Sequence, residues 1–74
     1  MKKYTKEQLD AYVGRKFVIC KTKYGALDGK IGTVKNVEMM ETLQGDVPML
    51  VVTIPNEVFS PAIMMPNNFA SEVK

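Results

Sequence analysis

Histidine is missing from this chain of 74 residues, and cysteine occurs once, at Cys20. The first absence removes the commonest general base and the commonest metal ligand. A zinc site needs more Cys or His than one cysteine supplies. Cys20 has no imidazole to activate it, and its place in an apolar strand reads as inert packing. One cysteine also excludes an intrachain disulfide, which a secreted domain this small usually needs. Long hydrophobic runs are lacking as well. Met49 to Val52 is too short to span a bilayer. The opening residues show no basic–apolar–small leader pattern, because Thr5 to Asp10 is polar. The expectation is a cytoplasmic protein without membrane contact. Glu38, Glu41 and Asp46 form no pocket pattern and read as a solvated hairpin edge. Gly25, Gly29 and Gly32 do not match a phosphate-binding loop, because no helix start follows Gly29-Lys30. No enzyme, metal or cofactor is expected.

What is present is enough for one small folded domain over residues 1–74. A hydrophobic share of 46% argues against disorder of the whole chain. So short a chain buries about 60–65% of its unfolded surface, so its core is small. The net charge is +2, but it is unevenly placed. Residues 1–36 carry nine Lys or Arg against three Asp or Glu, a balance of +6. Residues 37–74 carry one against five, a balance of −4. One reading is ordinary solubilising charge; the other is a basic face for phosphates or for an acidic protein surface.

Turn signals divide the chain into short elements. Thr5 and Gln8 have the spacing of a capping box, and Tyr4 and Leu9 that of a hydrophobic staple. With Gly14 as a left-handed stop, a helix is predicted over 6–13. Strands are predicted over about 15–21, 30–40, 48–54 and 57–65, the last broken at Ser60-Pro61. Val34 and Val37 are three apart, so a bulge near Lys35-Asn36 is needed to turn both inward. The polar stretch 41–47 is expected to turn at Gly45-Asp46. Pro48 is expected to start a strand and not to sit inside one. Pro66-Asn67-Asn68 is expected to end the sheet, with a frayed tail from residue 70. The fold class is mainly β: a small open barrel of four to five antiparallel strands with a short N-terminal α-helix.

The segment FVICKTKYGALDGKIGTVKNV resembles the KOW motif of ribosomal and transcription-elongation proteins. Val18-Ile19-Cys20 resembles its first strand, Asp28 to Gly32 its loop and central glycine, and Val34 and Val37 its alternating positions. The resemblance implies an SH3-like barrel. It also implies contact with RNA or DNA, or with the ribosome or RNA polymerase.

Lys21, Lys23, Tyr24, Lys30 and Lys35 gather around the first loop and the strand after it. Lysines neutralise phosphates, and Tyr24 can stack on a base. Gly25, Gly29 and Gly32 are expected to shape the loop. The leading expectation is therefore a non-enzymatic binding module for nucleic acid or a nucleoprotein machine. The alternative rests on the methionine pairs Met39-Met40 and Met64-Met65. In each pair one member is expected to face outward as an adaptable apolar contact. That describes a protein-interaction module or inhibitor, such as a phage-type accessory factor, or a homo-oligomer.

Overall fold

A computed structural model describes residues 4–58 and 60–74. Five antiparallel strands form one open sheet with one short helix: α1 (Lys6–Asp10), β1 (Lys16–Ile19), β2 (Ile31–Thr42), β3 (Gly45–Thr53), β4 (Ala62–Met64) and β5 (Phe69–Val73). The strand order is β4-β3-β2-β1-β5. No helix among the described residues is long and apolar enough to cross a membrane.

The capping box starts α1 as its spacing requires. The Gln8 N–H donates to Thr5 Oγ1 at 3.2 Å, and the Thr5 N–H donates to Gln8 Oε1 at 2.9 Å. The helix is shorter than the predicted 6–13. Tyr12 N–H donates to Leu9 O and Val13 N–H to Asp10 O, which tightens the last turn to three-residue closure. Gly14, at φ +86°, then gives its N–H to Val34 O of β2 at 2.8 Å. A sheet partner thus ends the helix. Leu9 anchors α1, with no exposed surface.

The core contains Leu9, Phe17, Ile19, Leu27, Val34, Leu50, Val52, Ile54 and Met64. No polar or charged residue is buried among the described residues. The β2–β3 register shifts between Val34 and Asn36, leaving Lys35 as the extra residue. This bulge points Val34 into the core and lets Val37 pack against it, which resolves their three-residue spacing.

Three expectations about the second half need correction. The β2–β3 turn is Leu43-Gln44, between the paired Thr42 and Gly45, and lies ahead of Gly45-Asp46. Thr42 Oγ1 fixes it by donating to Gly45 O at 2.6 Å and accepting from Gln44 N–H at 3.2 Å. Pro48 sits inside β3, opposite Met39. It is tolerated because β4 covers only Leu50–Val52, so this end of β3 is an open edge that needs no N–H from it. In place of a strand over 57–65, the described residues form a strand only at Ala62–Met64. Ile54 N–H donates to Ser60 Oγ at 2.9 Å and Ser60 N–H to Glu57 O at 3.3 Å, which closes a loop there. Phe59 falls outside the described residues.

The predicted frayed tail is instead β5. It pairs with β1 from Lys16↔Val73 to Ile19↔Phe69. Phe69 stacks on Phe17 with ring centres 4.2 Å apart, and Tyr12 leans on both rings. Arg15 clamps Glu72 through two bonds, Nε to Oε2 at 2.8 Å and Nη2 to Oε1 at 2.6 Å. Pro66–Asn68 forms one 3₁₀ turn that redirects the chain instead of ending the sheet.

Candidate functional site

The β1–β2 connection, residues 20–30, is a built loop. Its two ends are zipped together: Gly29 N–H donates to Ile19 O at 2.8 Å, and Ile19 N–H to Lys30 O at 2.7 Å. Leu27 is buried and pins the middle to the core. The Asp28 carboxylate is the internal staple. Its Oδ1 accepts from Thr22 Oγ1 at 2.7 Å and from the Thr22 N–H at 2.9 Å. Thr22 Oγ1 in turn accepts from the Leu27 N–H at 3.0 Å. The Thr22 hydroxyl bond, then the Thr22 amide bond, hold the Asp28 carboxyl below its ordinary range. Asn68 steadies the root from outside, its Nδ2 donating to Cys20 O at 3.1 Å.

This frame forces the left-handed backbone region at four positions: Lys21 (φ +55°), Tyr24 (φ +59°), Gly25 (φ +66°) and Gly29 (φ +84°). Glycine suits Gly25 and Gly29 for that reason. A bulky residue there is an outlier, as Tyr24 is. The residue is 94% exposed. Its ring contact is the Lys23 ammonium, 5.5 Å from the ring centre. Thr22, Lys23, Tyr24, Ala26 and Leu27 line a shallow, apolar hollow of about 290 Å³.

The five basic and aromatic candidates do not form one cluster. Lys21, Lys23 and Tyr24 share the loop. Lys30 stands at the loop's end, but its Nζ is paired with Glu57 Oε1 at 2.7 Å. Lys35 is the bulged residue of β2, four residues beyond Ile31, or roughly 13 Å along the strand. Its neighbour Val34 bonds to Gly14 and Arg15, at the other end of β1 from the loop. Gly32 is not a loop residue. It lies in β2 opposite Phe17 and is buried. A Cβ there would stand 2.5 Å from Val52 Cγ1 and 3.2 Å from Ile19 Cδ1, so its role is close packing.

No family model, curated protein or solved structure matches this chain. The reading of the site therefore rests on its geometry.

The methionine pairs divide differently from the expectation of one outward member each. Met64 is buried in the core, and Met65 is half-buried and packs against it where the chain leaves the strand. Met39 and Met40 are both exposed, at 50% and 37%. The reason is that residues 36–42 of β2 have only β3 beside them. The β1 ladder ends at Thr33, with Val34 bonded to Gly14 and Arg15. Residues 38–49 therefore make a two-stranded arm beyond the body of the sheet. Leu43 at its tip is fully exposed. Glu41 and Asp46 face each other across the arm, and among the described residues neither makes an ion pair. The sequence reading missed Leu43 and the Asp28 staple. Leu43 could have been found as a lone apolar residue between Thr42 and Gln44-Gly45.

The described residues contain no group of three or more His, Cys, Asp or Glu able to hold a metal ion. The Cys20 thiol is half-buried and 3.6 Å from Asn67 O.

Proposed function

We propose that this chain is a small non-enzymatic module of the SH3-like, KOW-like type that contacts single-stranded nucleic acid, or the nucleic acid of a larger nucleoprotein machine in the cytoplasm, through its β1–β2 loop. Barrel closure is supported by one short connection. Residues 65–68 carry the chain from β4 at one edge of the sheet to β5 at the other. In a flat five-stranded sheet those edges are about 19 Å apart. Five fully extended steps reach at most about 18 Å, and the 3₁₀ turn shortens the reach further. A curled sheet, with its two edges brought together, fits this short connection.

Tyr24 carries the functional reading. Its left-handed backbone works against a bulky side chain. Its ring adds almost nothing to the core. Folding alone would favour glycine at this position. An aromatic face held outward on a stapled loop, next to Lys23 and three residues from Lys21, is a stacking platform with phosphate partners beside it. The contact set is narrower than sequence proximity suggests: Lys21, Lys23 and Tyr24, with Lys30 engaged by Glu57 and Lys35 remote.

The test is fluorescence anisotropy with short labelled RNA and DNA oligonucleotides. Binding at low salt is expected to weaken with log salt at a slope of about 0.7 per phosphate contact. Tyr24→Ala is expected to lose about 1–3 kcal/mol of binding, and Lys21→Glu with Lys23→Glu to abolish it. Absence of binding at low salt overturns the proposal. A second reading, protein contact, draws on the exposed Met39, Met40 and Leu43 of the arm.

A further inference from the structure

The loop and the arm tip stand at opposite ends of β2, the longest strand of the sheet. Eleven steps separate Ile31 from Thr42, roughly 36 Å of strand. The loop end of β2 is paired with β1 and the tip end with β3 alone, so tip and loop are separate surfaces of one copy.

The two ends are complementary. The tip is a single apolar knob, Leu43, standing free in solvent. Behind it Glu41 and Asp46 are directly opposed, and like charges in that relation repel. The sequence offers them no relief, because it contains no Lys or Arg between Lys35 and Lys74. The loop end offers the counterpart: an apolar hollow of about 290 Å³, roomier than a leucine side chain. Lys23 forms one wall of it, and Lys21 lies two residues away in the same loop. Among the described residues neither lysine makes an ion pair.

We propose that copies of this chain associate head to tail, Leu43 of one copy entering the hollow beside Tyr24 of the next, with Glu41 and Asp46 meeting Lys21 and Lys23. The contact joins two different surfaces, so it is heterologous and propagates as an open chain unless its rotation closes a ring. A fingertip contact buries far less than a stable dimer interface. Association is therefore weak, and it is salt-sensitive because the charges are exposed. It also covers the Tyr24 platform, so an oligonucleotide held there and a second copy exclude each other.

The experiment is sedimentation velocity over a wide concentration range, with circular dichroism to confirm that each variant keeps its β-sheet signal. The average mass of the wild type is expected to rise with protein concentration and fall with salt. Leu43→Asp disables the tip, and Ala26→Arg fills the hollow; both positions are exposed, so the fold is preserved. Each variant alone is expected to stay monomeric. Mixed in equal amounts, they retain one good tip and one good hollow between them, and a species of twice the monomer mass is expected with nothing larger. A wild type that stays monomeric at every concentration overturns the proposal, and the arm then serves another basic partner. Association of Ala26→Arg by itself overturns it in favour of arm-to-arm pairing. Failure of the mixture to dimerise overturns it as well. Leu43→Asp is expected to bind oligonucleotides as the wild type does, so this test stands apart from that of the nucleic-acid reading.

Discussion

Replacing Gly32 by alanine tests whether the core is as tight as the geometry requires. The added methyl would stand 2.5 Å from Val52 Cγ1, 3.2 Å from Ile19 Cδ1 and 3.4 Å from Ile54 Cγ1. All three neighbours are buried and β-branched, so they have few rotamers to retreat into. Overpacking of this kind costs about 1–3 kcal/mol. The backbone of Gly32 is not left-handed, so alanine also gains about 0.4–1 kcal/mol through the unfolded chain. The net expectation is a loss of about 1–2 kcal/mol, read as a fall in Tm of roughly 5–15 °C for a domain of this size. Thermal and urea unfolding followed by circular dichroism measure it. Val52→Ala removes the clashing methyl, so the double variant is expected to be more stable than the sum of the two single losses predicts. A Gly32→Ala protein as stable as the wild type, or strict additivity with Val52→Ala, refutes the packing argument.

Asp28→Ala is expected to unhook Thr22 and speed amide exchange at Thr22 and Leu27, while the global Tm changes little. Acid is expected to do the same. Because the folded-state carboxyl titrates below its ordinary value, its contribution is whole above about pH 4 and is lost as pH falls through the depressed value. Exchange rates that are flat across that range would contradict the staple. Phe69→Ala is expected to cost about 2–3 kcal/mol by urea unfolding, because it removes the ring stacked on Phe17 and with it the main anchor of β5. A loss below a few tenths of a kcal/mol would mean that the terminal strand contributes nothing. Glu41→Gln is expected to raise stability by a few tenths of a kcal/mol, by relieving its repulsion with Asp46. A lower Tm in this variant would show that the carboxylate has a partner.

The parts legible in the sequence are those decided by near neighbours. The Thr5–Gln8 box needs only three residues of spacing, and the bulge follows from Val34 and Val37 both requiring burial. The missed parts depend on distant partners. β5 exists because Phe17 and Arg15, more than 50 positions earlier, hold Phe69 and Glu72. Pro66-Asn67-Asn68 has the composition of an ending, and only the neighbouring edge makes it a corner. Pro48 is admissible in a strand because β4 stops short of it, which its own neighbours do not reveal. The spacing of the lysines also depends on distant partners. Lys30 is claimed by Glu57, and Lys35 is carried away along β2. Within the loop, the backbone of Tyr24 is set by the Asp28 staple, whereas its residue type points to the β region.

The pairing of β1 with β5 sets the order in which the molecule can come into being. On the side away from Thr33, Lys16 finds its partner only at Val73. During synthesis β1 must therefore wait, with one edge bare, until nearly all of these residues have been added. So nonlocal a closure makes for slow, late folding, completed after residue 73 is free of the ribosome instead of stepwise during its passage.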